Sequence, residues 1–174
     1  MIQVLPFFRV PLDAQDFYWD QIIQAGLLPF RFHGVKKPDI TYVYQYIGKS
    51  PKEKRLIYYV VIPTNPLQVV GEIALDTFTG TTAMIHFSAL PTRAKPFHIV
   101  ERMDNAIAAL SSVQPGLTKV YGLTPLSPRF RMTRLTAKKL GFKRIGILHD
   151  SVVLRAFGET ISSDGLITEK DLMR

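Results

Sequence analysis

The stretch RMTRLTAKKLGFKRIG, Arg131 to Gly146, followed by ILHDSVVLRAF, constrains the fold more than any other part of the chain. Arg131, Arg134 and Lys138 recur at helical spacing, while Met132, Thr133, Leu135, Thr136, Ala137 and Leu140 fill most of the remaining circumference with apolar or small side chains. This predicts a half-buried helix. Gly141 falls where such a helix must stop in a left-handed turn, and Phe142 is placed to fold back onto its last turn. Two β-runs follow, Phe142 to Leu148 and Ser151 to Phe157, with His149 and Asp150 at the turn between them, so a closing hairpin is expected.

At 174 residues and 47% hydrophobic content, the chain supports one well-packed domain and is too short for two comfortable ones. The absence of cysteine excludes a disulfide framework, a thiolate zinc site and a cysteine nucleophile. Four scattered histidines give no basis for a metal site. No basic leader with an apolar core opens the sequence and no apolar run approaches membrane-spanning length, so a soluble, cytoplasmic protein is expected. The net charge of +8 is uneven, because Asn105 to His149 holds no acidic residue but contains Lys119, Arg129, Arg131, Arg134, Lys138, Lys139, Lys143 and Arg144. A positive face of this kind suits a phosphate-rich small molecule, nucleic acid or an acidic protein surface, and is equally consistent with simple solvation.

Earlier in the chain, Gln3 to Val10 reads as a strand. Asp13 reads as the N-cap of a helix that ends at Gly26 and buries Tyr18, Trp19, Ile22 and Ile23. Ile40 to Gly48 alternates so that Tyr42, Tyr44 and Tyr46 share one face, which predicts a strand. The charged run Lys49 to Arg55 is a solvated turn. LIYYVVIP, QVVGEIALD and TTAMIHFSAL then read as three consecutive antiparallel strands. His98 to Val113 is helical, with Ile99, Met103, Ala106, Ile107 and Leu110 on one face, and KVYGL is a further strand.

Leu140, Gly141 and Phe142, with Arg144 and Gly146 in the strand that follows, resemble the C-terminal signature of the GCN5-related N-acetyltransferases, the GNAT superfamily. The order of elements from Val4 to Phe157 agrees with it. The resemblance implies an α+β fold, layered α/β/α, in which a mixed, mostly antiparallel twisted sheet is flanked by helices. It covers residues 1–158 as the acetyltransferase-like domain, and leaves 159–174 as a C-terminal tail, read as a mobile or partner-docking extension.

The same resemblance implies acetyl-coenzyme A as cosubstrate, held where the third meander strand and the next strand splay apart. Its pyrophosphate would rest on the amides that open the following helix, which carry the positive end of the helix dipole. The corresponding loop and helix start supply Arg93, Ala94, Lys95, Phe97 and His98. The glycines customary there are missing, and Pro96 has no amide hydrogen to donate. Backbone amides from Phe87, Ser88 and Ala89 would polarise the thioester carbonyl. Arg131 and Arg134 are placed to approach the adenosine 3′-phosphate, and the same residues could serve a nucleic-acid backbone. The family's tyrosine in the last helix and the asparagine near its start are replaced by Ala137 and Phe130.

Residues able to substitute for those groups lie near the splayed strands. They are His86, with Ser88 on the same face, Glu72, with Asp76 on its face, and Tyr121. His86 is a catalytic candidate or a hydrogen-bonded core residue, Glu72 a cleft carboxylate or an exposed one, and Tyr121 a proton donor or a packing aromatic. Tyr42, Tyr44 and Tyr46 line an acceptor site or pack. The expected function is transfer of an acetyl group to an amine, on a small molecule or a protein, by direct attack. The alternative is a catalytically inactive interaction or assembly protein of the same fold, similar to the head-assembly proteins of bacteriophages. Nucleic-acid binding ranks third and no membrane is expected; the partner in assembly is a second copy or another protein.

Overall fold

The computed structural model describes residues 2–90, 97–158 and 162–172, the first three of the middle stretch by their backbone only. Strands β1 (Gln3–Pro6), β2 (Leu56–Ile62), β3 (Gln68–Thr79), β4 (Thr82–Ala89), β5 (Lys119–Pro125), β6 (Lys143–Val153) and β7 (Ser162–Asp171) make one sheet. Its order is β1-β2-β3-β4-β5-β7-β6, antiparallel at every step except β4–β5. The helices are α1 (Leu12–Gln24), α2 (Leu28–Arg31), α3 (Ile40–Lys49), α4 (Phe97–Val113) and α5 (Arg131–Lys139). This is the layered α+β architecture expected from the sequence.

Two cores lie on opposite faces of the sheet, and strand alternation decides which residue enters which. Tyr58, Val60, Ile73, Leu75 and Ile85 pack with Met103, Ala106, Ile107 and Leu110 of α4 and with Ala137, Leu140 and Phe142 at the end of α5. Ile57, Tyr59, Val61 and Ala74 pack with Tyr18, Trp19 and Ile22 of α1 and with Val43 and Ile47 of α3. Because both faces are covered, β2 reads as the unbroken apolar run LIYYVVI.

Four local expectations are corrected. The segment carrying Tyr42, Tyr44 and Tyr46 is helix α3, not a strand: Asp39 Oδ1 accepts from the Tyr42 amide at 2.8 Å, and Val43 and Ile47, four apart, are its buried residues. The tyrosine alternation was coincident with that helical stripe. At the start of α1 the N-cap is Pro11; Asp13 lies in the first turn, and Ile23 is partly exposed. β1 ends at Pro6, where a short 3-10 turn replaces the expected strand continuation.

The fourth correction is topological. His149 and Asp150 lie within one long strand, β6, where the pairing slips between Leu148 and Val152, and Arg155–Phe157 is a 3-10 turn. The strand partner of β6 comes instead from the segment read as a tail. Residues 162–171 form β7, inserted between β5 and β6 and paired with both along most of its length. Gly165 lets it pass: a Cβ there would lie 2.5 Å from Leu123 Cδ1 and 2.6 Å from Ser151 Oγ.

α5 ends as its sequence requires. Gly141 adopts φ +80°, its amide donates to the Lys138 carbonyl at 3.1 Å and the Phe142 amide to the Ala137 carbonyl at 3.0 Å, the paired bonds of a Schellman stop. Yet the helix is less buried than its composition suggested, for Met132 and Leu135 are 69% and 41% exposed. A chain ending at Gly158 loses the strand that joins β5 to β6, and is expected to show no cooperative thermal unfolding by circular dichroism where the full chain does.

Candidate active site

β4 and β5 are paired only over Thr82–Met84 and Lys119–Tyr121. Beyond that rung β4 stays on β3 as far as Ala89, while β5 stays on β7 as far as Pro125, so the two parallel strands diverge. The wedge opens into a small cleft of about 80 Å³ lined by β4 (Ile85, His86, Phe87), β5 (Gly122 to Pro125) and α5 (Thr133, Ala137), with Phe30, Arg31 and His33 at one side. The β4 residues split between the two faces of the sheet. Ile85 and Phe87 point toward α4 and α5, where Phe87 stacks on Phe142 with centroids 6.4 Å apart. His86 and Ser88, paired with Ala74 and Glu72, belong to the face covered by α1 and α3.

On that second face a polar network crosses the sheet. Glu72, with a fully buried side chain, receives Arg31 through both oxygens, at 2.8 Å from Nη2 and 2.9 Å from Nε. Ser88 Oγ donates to Glu72 Oε2 at 3.2 Å and lies 2.7 Å from the Tyr18 hydroxyl, while Arg31 Nη2 also donates to Tyr46 Oη at 2.9 Å. Burial disfavours the Arg31 charge, but Glu72 and Tyr46 more than restore it, so the guanidinium is held above its ordinary value. Burial, reinforced by the Glu72 charge, pushes the Tyr18 phenol up, and Tyr18 remains a neutral donor. Glu72 is therefore committed to an ion pair inside the protein, neither exposed nor free to act as a base. The expected cleft carboxylate is a structural one.

His86 and Tyr121 meet around a different carboxylate. His86 Nε2 is 3.4 Å from Asp76 Oδ2, and Arg55 Nε approaches the same oxygen at 3.5 Å. Burial alone would raise the Asp76 carboxyl; His86, Thr77 and Arg55 outweigh it and hold the group below the ordinary carboxylate range. Burial and the Asp76 charge push the Tyr121 phenol up, so it stays protonated. Tyr121 faces Met84, on the last paired rung before the strands part.

Of the other sequence-derived candidates, Phe87, Ser88 and Ala89 form the β4 side of the wedge. Arg134 is not directed at the cleft: its Nη1 donates to the Pro125 and Ser127 carbonyls at 2.6 and 2.9 Å and clasps the end of β5 to α5. Arg131 is exposed on α5. Arg93, Ala94, Lys95 and Pro96 lie outside the described residues, as do the side chains of Phe97 and His98, whose backbone opens α4. Arg31, Tyr18 and His33 were not singled out by sequence. Tyr18 was read only as a buried residue of α1, and the only signal for Arg31 and His33 was position in the segment linking α1 to α3.

No family model and no curated protein matches the sequence. Solved structures do. A Salmonella typhimurium acetyltransferase that modifies the N-terminal serine of ribosomal protein L7/L12 superposes with a TM-score of 0.71 at 8% identity, covering 98% of this chain and 94% of that one. The fold is that of the GNAT acetyltransferases. Spermidine N-acetyltransferase from Vibrio cholerae, solved with CoA and spermine, gives 0.69 at 11% identity and covers 98% and 95%. Ribosomal-protein-S5-alanine acetyltransferase from Vibrio fischeri gives 0.67 at 14%, covering 98% and 92%. No described helix of this GNAT-fold chain is long and apolar enough to cross a membrane.

Two stability tests follow from the site. Glu72→Gln leaves Arg31 buried without its counter-charge and is expected to cost about 3–5 kcal/mol in urea unfolding. Asp76 has a folded pKa below its unfolded one, so its contribution is present above the unfolded value of about 3.9 and is lost as pH falls through the folded value. Asp76→Asn is expected to flatten that acid-side part of the stability curve.

Proposed function

We propose that this protein is an N-acetyltransferase, moving the acetyl group of acetyl-coenzyme A to an amine by direct attack. The observation that carries the reading is the parting of β4 from β5 after Met84 and Tyr121, directly ahead of a helix that opens at Phe97. A thioester laid in that wedge meets β4 backbone from Phe87 to Ala89 on one side and β5 on the other. Pre-set amides of this kind stabilise the oxyanion of a tetrahedral intermediate. The leading amides of α4 carry the positive end of its dipole toward a diphosphate. Arg93 and Lys95 are assigned to the same anion, and exposed Arg131 to the outer phosphate. Solved neighbours support the cosubstrate, since the spermidine enzyme was solved with CoA and a microcin self-immunity acetyltransferase with acetyl-CoA.

The roles divide by face. His86, oriented by Asp76, and the Tyr121 phenol lie on the α1–α3 side, where an amine can approach and where a thiolate can be reprotonated. Glu72 acts indirectly, fixing Ser88 and Arg31. The acceptor is a primary amine on a small molecule or a polypeptide, as among the neighbours.

The competing reading, a non-catalytic member of the fold, draws on Ala137, which lines the cleft where family members carry a phenol. Isothermal titration separates them: acetyl-coenzyme A is expected to bind with micromolar affinity. Thr133→Trp, at an exposed position on the cleft rim, is expected to weaken that binding at least tenfold with the melting temperature unchanged. Absence of heat at millimolar ligand would favour the non-catalytic reading.

A further inference from the structure

Among the described residues two imidazoles line the cleft, His86 with a carboxylate against its Nε2 and His33 with a backbone carbonyl against its Nδ1. His33 follows α2 and is stapled to the end of β6 and to the turn after it: its Nδ1 lies 3.3 Å from the Val153 carbonyl, and its carbonyl accepts from the Ala156 amide at 3.0 Å. A carbonyl oxygen can only accept, so Nδ1 carries the hydrogen and the neutral ring keeps a lone pair on Nε2. Phe130 stands edge-on to the ring at 5.5 Å between centroids, and both residues line the cleft with His86. The charged or titratable groups acting on the ring are His86 from β4 and Arg31 from its own segment, while Phe130 and β6 present an aromatic edge and a carbonyl. Burial lowers the ring's pKa below the ordinary value of 6.5, and the positive neighbours add to this against the Val153 bond. Among the described residues no carboxylate lines the cleft: Asp76 lies behind His86, engaged by it and by Arg55, and Glu72 is spent on Arg31. The wedge thus has a neutral base at its mouth, and both carboxylates near it are already engaged.

Resting on the acetyltransferase reading, we infer that His33 Nε2 is the general base that deprotonates the acceptor ammonium. The ammonium gives one proton to Nε2, and its freed lone pair forms the C–N bond at the thioester carbon. The C–S bond breaks with its electron pair leaving on sulfur. The nitrogen's second surplus proton passes to the thiolate, and imidazolium releases the first to solvent, so amide, free thiol and one proton are the products. A neutral imidazole whose pKa lies under physiological pH is suited to this because it regenerates at once after each turnover. A cleft whose nearby carboxylates are already paired also disfavours polycationic acceptors and favours an amine on a neutral or acidic molecule.

The test uses the full chain and His33→Asn, whose side-chain amide can still donate to the Val153 carbonyl but offers no counterpart to Nε2. Thiol release from acetyl-coenzyme A is followed with two probes, spermidine and a serine-leading tetrapeptide amide, from pH 5 to 9. The expected result is a fall in kcat/KM of about a hundredfold or more, loss of the acid limb of the profile and unchanged acetyl-coenzyme A affinity, with the peptide the better acceptor. Full activity with the acid limb intact overturns the assignment while leaving the acetyltransferase reading standing. Failure of the native chain to bind acetyl-coenzyme A overturns both. If neither probe turns over, long-range ¹H–¹⁵N spectra of the native chain decide: hydrogen on Nδ1 and a midpoint below 6.5 support the base, and hydrogen on Nε2 or a midpoint at or above 6.5 excludes it.

Discussion

The structure depends on keeping two parallel strands apart against their tendency to pair. Bringing β4 and β5 together along their length would satisfy more backbone groups, and the molecule prevents it with a wedge on one face. Phe142 is delivered there by the Schellman stop of α5 and stacks on Phe87, so a left-handed glycine in a loop sets the spacing of strands that do not contain it. Arg134 completes the arrangement by tying the last carbonyl of β5, Pro125, and that of Ser127 just beyond it to α5. Without these contacts the cleft would be free to close into ordinary sheet.

The opposite face is organised by charge. The Arg31–Glu72 pair is buried, and such a pair gains little over an apolar equivalent unless its remaining lone pairs are satisfied. Here they are, by Ser88 on one carboxylate oxygen and by Tyr46 on the guanidinium. What the pair secures is geometry: it fastens the α2 segment to β3 and β4 beside the point of divergence. Phe30, His33 and the aromatic cluster with Phe130 and Phe157 inherit their places from it.

Much of this was legible in the sequence wherever a local rule and the tertiary fold agreed. The meander β2–β3–β4, helices α1 and α4 and the Gly141 stop follow from periodicity and turn chemistry, and the parting of strands ahead of α4 was implied by the family resemblance. Of the readings that failed, the two largest did so for definable reasons. Alternating tyrosines imitate a strand, and only the N-cap Asp39 with Val43 and Ile47 four apart reveals α3. Residues 162–171 have weak periodicity and three acidic side chains, Asp164, Glu169 and Asp171, because β7 lies near the sheet's margin, with several half-exposed positions; its strand character is imposed by β5 and β6. The ion pair was illegible because its partners, Arg31 and Glu72, are 41 residues apart and neither sits in a motif.

The two faces also account for the residues that the family signature lacks. A phenol at position 137 would reach the wedge from α5, the side on which Phe87 and Phe142 are packed; alanine there leaves that side apolar. The titratable groups of the cleft, His33 and His86 with Asp76 behind them, are gathered on the other face together with Tyr121 on the last paired rung. Under the proposed chemistry, proton removal and proton return both run through the face that receives the amine, and the α5 side is left to shape and anion binding. Such a division requires the proton donor to remain neutral while the carboxylate behind it stays charged. The burial and charge that raise Tyr121, and the histidine and arginine that lower Asp76, satisfy that condition together.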